Sequence, residues 1–274
     1  MNAVLTIAGQ EIRDGLRNRW ILALTLVLAG FALSLTFVGS APTGQVDASP
    51  LLITVVSLSS LTIFLLPLIG LMLSFDTVVG ESERGTLLLL LAYPISRWQV
   101  LTGKFVGHVA ILAFATVVGY GAAGAVAAYR GDVDTAALQA FAAMVGSSII
   151  LGAAFLALGY VVSTTVRERA TAAGIAIGIW LLFVLVYDMA LLGVLVAGAG
   201  TISGTALHAL LLANPADAYR LFNLTGFDNV ALLSGTVGMM GDAKISPLLL
   251  LAAQLAWVAV PLAIALALFQ RKEV

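Results

Sequence analysis

Six stretches of this chain are apolar for longer than a water-soluble domain tolerates: residues 20–38, 51–75, 105–128, 136–162, 172–197 and 248–269. Crossing about 30 Å of hydrocarbon as a helix takes roughly 20 residues, so the spacing predicts six membrane spans. Inside a bilayer every backbone N–H and C=O must bond within the protein. The runs lack the alternation of barrel strands. The fold class expected is an all-α integral membrane protein, with a single transmembrane domain over 1–274. Charged side chains make up 10% of the 274 residues, which leaves little room for a separate soluble domain. The net charge of −1 gives nucleic acid no electrostatic footing, and the absence of cysteine excludes disulfides, thiolate metal sites and cysteine catalysis.

Orientation follows from the cations. Arg13, Arg17, Arg19, Arg84, Arg97, Lys104, Arg167, Arg169, Arg271 and Lys272 are ten of the 13 Lys and Arg residues, and all fall on one side of the expected spans. Arg130, Arg220 and Lys244 fall on the other. The positive-inside rule places the larger set, and both termini, in the cytoplasm. The run 20–38 exceeds a signal-peptide core, so it is read as a retained first span. Before it, Leu5, Ala8, Ile12, Leu16 and Trp20 recur at helical spacing, while Gln10, Glu11, Arg13, Asp14 and Arg17 face elsewhere. This predicts an interfacial helix on the inner membrane surface, as a simple anchor or as a docking element. Gly174 with Gly178, and Gly119, Gly121 and Gly124, permit close helix approach, either within one subunit or across a dimer seam.

Residues 81–98, ESERGTLLLLLAYPISRW, interrupt the apolar pattern between spans 2 and 3. Glu81, Glu83 and Arg84 are ionic, Gly85 can turn the chain, Thr86 can cap a helix over 87–93, and Pro94 stops it. Ser96 or a neighbour restarts the helix, and Arg97, Trp98 and Lys104 suit the inner headgroups. Leu87 to Leu91 cannot span the bilayer and is too apolar for water, so it should lie in a groove or at the interface. Such a helix either receives force from a soluble partner or is a half-buried loop.

Glu81-Ser82-Glu83-Arg84-Gly85-Thr86-Leu87, then Pro94 with Ser96-Arg97, then Gly103-Lys104, resembles the E-x-E-x-G-T-L…P-x-S-R…G-K signature of ABC-2-type permeases. The resemblance extends to the surface helix, the six spans and Asn214-Pro215 in the outer loop. It implies a bacterial inner-membrane permease, non-catalytic itself and working as a homodimer. The segment around Glu81, Glu83, Arg84, Gly85, Thr86, Pro94 and Arg97 would then be the coupling helix pressed by two copies of an ABC ATPase, which carry ATP and Mg. At finer grain, the opening QEIRDGLRNRWIL and the pair Met239-Met240 resemble the branch of that family serving nitrous oxide reductase maturation. That resemblance implies copper-site assembly and a periplasmic copper-handling β-helical partner.

Chemistry of other kinds is missing from the sequence. Gly103-Lys104 is followed by Phe105 and forms no phosphate loop, and no H-E-x-x-H or G-x-S-x-G occurs. With only His108 and His208, a histidine metal site is not expected. His108 is placed against headgroups or a loop, His208 in the outer region. Asp188 stands about 24 Å into span 5, toward the outer leaflet, with no Lys or Arg in the spans to pair with. It could line a cavity, cap a helix or carry protons; the last gives the alternative of an ion-coupled transporter without an ATPase. The outer segment 198–247 reads as two short helices, the second opened by Asn214 as cap, Pro215 at its first position and Asp217 in its first turn. Asp217, Arg220, Phe227 and Asp228 are expected to face an outer partner. Met239 and Met240 fill apolar space or offer thioethers to Cu(I).

Overall fold

The computed structural model describes residues 3–17, 19–39, 49–131, 134–197, 203–225 and 245–272. Among them every regular element is helical. In chain order these are α1 (Ala3–Arg17), α2 (Arg19–Gly39), α3 (Pro50–Ser74), α4 (Val79–Glu83), α5 (Thr86–Leu91), α6 (Arg97–Arg130) and α7 (Thr135–Thr165). Then come α8 (Arg169–Leu181), a π turn (Leu182–Val186), α9 (Tyr187–Ala197), α10 (Gly204–Leu212), α11 (Pro215–Thr225) and α12 (Pro247–Arg271). Five stretches among the described residues have the length and apolarity to cross a membrane: Pro50–Glu83, Arg97–Arg130, Thr135–Thr165, Arg169–Ala197 and Pro247–Arg271. The helix α2 coincides with the expected first span, but its described apolar stretch, Ala23–Phe37, is shorter.

The helix starts follow from local chemistry. Ser49 accepts from the Leu52 N–H and Pro50 opens α3; Ser246 accepts from the Leu249 N–H and Pro247 opens α12. Each pair satisfies an otherwise orphaned donor and places proline where it costs nothing. Ser96 and Gln99 form a capping box at the start of α6.

The bundle is organised around α3 and α7. A Cβ at Gly70 would stand 2.5 Å from Gly152 O, so the two backbones meet where a methyl group would collide. Gly159 gives the same proximity to Ser74 lower down. The helices α1 and α2 lie against α6, α12 lies against α7, and α11 fills the outer end between α3, α7 and α12. The glycines expected to pack do so in part: Gly119 meets Leu28 and Ala29 of α2, Gly124 meets Phe141 of α7, and Gly121 faces open space. The span formed by α8, the π turn and α9 differs from the others, with only 6% of its most apolar window buried. A Cβ at Gly174 or Gly178 on it would meet nothing within 4 Å, so these two glycines serve no packing among the described residues.

Candidate functional site

The segment between α3 and α6 is built as a corner of two short helices. After α4, Gly85 takes the left-handed conformation (φ 71°), which a side chain would strain, and it rather than Thr86 is the N-cap of α5. Thr86 instead donates its hydroxyl to Glu81 O at 3.2 Å, tying the two short helices together. That corrects the expected cap: a left-handed residue at the cap position already turns the chain. The helix α5 ends at Leu91, ahead of Pro94. Its Leu87 is 1% exposed and joins the core, whereas Leu88 is 55%, Leu89 70% and Tyr93 66% exposed. One face anchors the helix, and the other is offered outward.

The acidic pair of the motif fastens this corner to three other elements. Lys104 of α6 is held between Glu11 of α1, in a short contact, and Glu81, at 2.7 Å. Glu83 accepts from the Arg169 backbone N–H at 2.7 Å, at the start of α8. Arg169 Nε stands 2.9 Å from Asp76 Oδ1, outside hydrogen-bond alignment, and Arg84 reaches Asp76 Oδ2 at 3.7 Å. A cleft of about 560 Å³ bounded by Phe75, Glu83, Glu168, Arg169, Ala170 and Ala173 opens beside this contact.

Several sequence expectations are corrected here. Lys104 does not face headgroups; its side chain is 7% exposed because two carboxylates enclose it. Glu11 belongs to the packed face of α1. The helix can come that close because Gly103 and Gly107, one turn apart on α6, leave room: a Cβ at Gly103 would meet Ile7 at 2.8 Å, and one at Gly107 would meet Glu11 at 2.6 Å. His108 is also internal, sharing a 2.7 Å hydrogen bond with the Tyr160 hydroxyl of α7 and standing 3.7 Å from Glu11. Leu5, on the opposite side of α1, is 66% exposed, as an interfacial helix requires. Arg97, half-buried, is engaged with the end of α12. Its guanidinium donates to Phe269 O at 3.2 Å and to Lys272 O, neutralising carbonyls left free where α12 ends.

A second cluster sits at the other end of the bundle. Asn214 Oδ1 accepts from the Ala216 N–H at 2.9 Å and Pro215 opens α11, as its sequence order predicts. The Asn214 amide also donates to Phe183 O inside the π turn at 2.9 Å. Tyr187 donates to Leu210 O at 2.7 Å and Trp257 to Leu212 O at 3.1 Å, so the last carbonyls of α10 are taken by two neighbouring spans. Deeper in, Tyr219 bonds Ser148 at 3.0 Å, and Asn223 bonds Ser147. These bonds pair the buried amide and hydroxyls of the corner with groups on the neighbouring helices.

Asp188 is not alone. Arg220 contacts both its carboxylate oxygens, at 2.6 and 3.4 Å, and reaches Asp217 Oδ1 at 3.1 Å. The expectation that Asp217 faces an outer partner is therefore corrected, since Asp217 is 1% exposed; Arg220, its side chain about a third exposed, bridges the two carboxylates. Burial, reinforced by the Asp188 carboxylate, pushes Asp217 up to about 7 against the opposing pull of Arg220 and Asn214. Phe227, Asp228, Met239 and Met240 lie outside the described residues. Among the described residues no group of three or more His, Asp or Glu side chains could hold a metal ion.

With this geometry in view, the chain can be set beside known proteins. The sequence pattern of the ABC-2 family transporter protein matches residues 5–274. A protein of Pseudomonas aeruginosa bearing the name "Probable ABC transporter permease protein NosY" is 47% identical over 276 residues, covering 100% of both chains. One of the same name from Stutzerimonas stutzeri is 45% identical over 274 residues, covering 99% of each.

Proposed function

The chain belongs to the ABC-2 family of transporter proteins, a multi-pass membrane permease subunit, and on that premise we propose that it converts ATP-driven motion of a separate ATPase into movement of its outer surface. The observation that carries this reading is the coupling corner. Leu88 and Leu89 are exposed on α5 and Tyr93 just beyond its end, while the motif acids Glu81 and Glu83, on the preceding α4, are fastened to α6 and α8. A push on that face is delivered to several helices together rather than absorbed by a loop. The acids of the motif act as internal fasteners, and the leucines and Tyr93 make the contact. The chain lies in the bacterial inner membrane with both termini cytoplasmic. ATP and Mg are bound by two ATPase copies, one beneath each of two permease copies. The outward-facing α8–α9 span, with Gly174 and Gly178 unused internally, supplies the face on which those copies meet.

At the outer end, the corner of α10 and α11 moves with span 5, because Asn214, Tyr187 and Arg220 join them. We place its action in copper-site assembly of nitrous oxide reductase, through a periplasmic copper-handling β-helical partner. The support is the resemblance of the opening segment and of Met239-Met240, together with the name carried by the relatives.

Co-purification with the ATPase tests the coupling. Leu89→Asp and Gly85→Pro should leave membrane insertion intact while retained ATPase and client maturation fall together. Full ATPase retention and full maturation in both variants would reject the reading. Orientation is read separately: cysteines at Ser82 or Glu168 should react with an impermeant thiol reagent only after lysis, and labelling of intact cells would reverse the topology.

A further inference from the structure

Away from both clusters, an apolar groove of about 430 Å³ runs between α7 and α12 and is closed at its outer end by Leu212 of α10. Leu158 and Val161 form one wall, and Trp257, Pro261 and Ile264 part of the other. It opens sideways, since Val260 is 56% and Ile264 47% exposed. Its lining on α12 extends from Ala253 to Ile264. At 1.5 Å per residue that is roughly 16 Å, about the depth of one leaflet's hydrocarbon. Nothing polar lines it that would hold water there.

The end of the groove nearest the cytoplasm meets a group of cations. Lys272 donates to Val166 O at 3.3 Å, which brings the ends of α7 and α12 to one corner. Arg167 and Arg271 are exposed at the same ends, and neither has an ion pair among the described residues. Burial lowers the Lys272 pKa, and the nearby charge of Arg167 lowers it further. Among the described residues this corner has cations in excess. Glu168 beside Arg167 is bonded to Thr171 instead. Val166 follows Val161 of the groove wall by five residues, or about 7 Å of helical rise. On α12, Arg271 follows Ile264 by seven residues, about 10 Å of rise, so the cations stand at the ends of the two helices that wall the groove.

We propose that this groove and corner bind one anionic phospholipid of the cytoplasmic leaflet, with an acyl chain along α7 and α12 and its phosphate at Arg167, Arg271 and Lys272. Basic residues at a membrane surface attract anionic headgroups, and the long side chains extend to that level while their stems stay in the apolar layer. A free phosphate would use the cations and leave the groove unexplained. The leaflet assignment rests on the orientation proposed above. The lipid would also touch the coupling path, because Arg97 holds the end of α12 beside the coupling segment.

Trp257 in the groove wall provides the reporter. The full chain is purified and returned to mixed micelles containing phosphatidylglycerol or phosphatidylcholine with brominated acyl chains, and the quenching lost in Trp257→Phe is assigned to the groove. Micelles have no sidedness, so the result does not depend on the topology. Brominated phosphatidylglycerol should quench Trp257 at a mole fraction about fivefold lower than phosphatidylcholine does. Arg167→Gln with Arg271→Gln should remove that preference while leaving phosphatidylcholine quenching unchanged. Ala256→Phe, which fills the groove while keeping the cations, should reduce quenching by both lipids. Equal quenching by the two lipids in the native chain would overturn the proposal. So would abolition of the preference by millimolar inorganic phosphate, which would mark a free-anion site. A charge variant that kept the lipid preference but lost the ATPase would overturn it as well, assigning the cations to a protein partner.

Discussion

At each end of this bundle one cation lies between two carboxylates, yet the two arrangements do different work. Lys104 joins Glu11 and Glu81, from three separate parts of the chain, in a pocket that leaves the lysine side chain 7% exposed. Arg220 joins Asp188 of another helix to Asp217 of its own, and both Arg220 and Asp188 stay about a third exposed. The inner cluster therefore locks α1, α4 and α6 into one body. The outer cluster closes a single joint that water reaches on one side. In the outer cluster, burial and the neighbouring Asp188 carboxylate raise the Asp217 pKa to about 7. The proposed transmission of force calls for a stiff input and an output that can shift.

Removing the inner cation should be the most damaging change. Lys104→Met leaves Glu11 and Glu81 facing one another without compensation, and stranding a buried charge costs about 3–5 kcal/mol. We expect a fall in Tm of roughly 6–15 °C in detergent, with much of the loss restored when Glu11→Gln and Glu81→Gln are added. An unchanged Tm would show that the lysine is not structural. Gly107→Val attacks the same cluster without touching a charge. Its side chain would occupy the place of Glu11 Cβ, 2.6 Å away, so α1 must move off α6. Overpacking of this kind costs about 1–3 kcal/mol, and protease access to α1 should rise. If it does not, the glycines are not what admits α1.

The outer cluster should be weaker and pH-dependent. Arg220→Leu should cost on the order of 1 kcal/mol, given its exposure. Asp217 gives this cluster a pH-dependence of definite sign. Its folded pKa, about 7, lies above the unfolded value near 3.8, so the folded state holds the extra proton between those limits. Stability from this group is greatest below about pH 4, declines as pH rises and is lost above about 7. The Tm of the native chain should fall across that window relative to Asp217→Asn, and parallel profiles would refute the assignment.

Much of the fold is legible in the sequence because span length and cap chemistry are local. Ser96, and Asn214 with Pro215, occupy the expected positions since each signal is local; the Gln99 half of the Ser96 capping box emerges from the structure. The clusters are harder to read because their partners are distant in sequence. Glu11 and Lys104 are 93 residues apart, and a lysine flanking a span looks like a headgroup ligand until something covers it. Gly103 and Gly107, one turn apart on α6, are the available signal that a helix covers it. Asp188 looks partnerless in the sequence because Arg220 lies in the outer loop and not in a span. The face of α11 is hidden for the same reason: a first-turn acid is common on exposed helices, and only the neighbouring carboxylate shows that this one points inward.

The smallest effect is expected from the methionines, and it decides what passes between the two ends. If Cu(I) crossed the bilayer in this chain, it would need soft or imidazole ligands at successive depths. Met72, Met144 and Met189 are the methionines of the spans, and the fold gives them unlike surroundings. Met144 is fully buried in the core around α7, Met72 is half-buried against α3 neighbours, and Met189 is 76% exposed on α9. His108, the histidine of the spans, is engaged with Tyr160 near the inner end. Between such points a cation would meet leucine, valine and alanine, where an uncompensated charge costs at least several kcal/mol. Changing all three methionines to leucine keeps volume nearly constant, so each should cost less than about 1.5 kcal/mol. Force transmitted from Lys104 to Arg220 would survive the triple change, and client maturation should stay near the native level. If the triple variant folds, keeps its ATPase and hydrolyses ATP while copper-dependent maturation is lost, the ends are linked by an ion pathway and the comparison of stiff input with movable output no longer describes the mechanism.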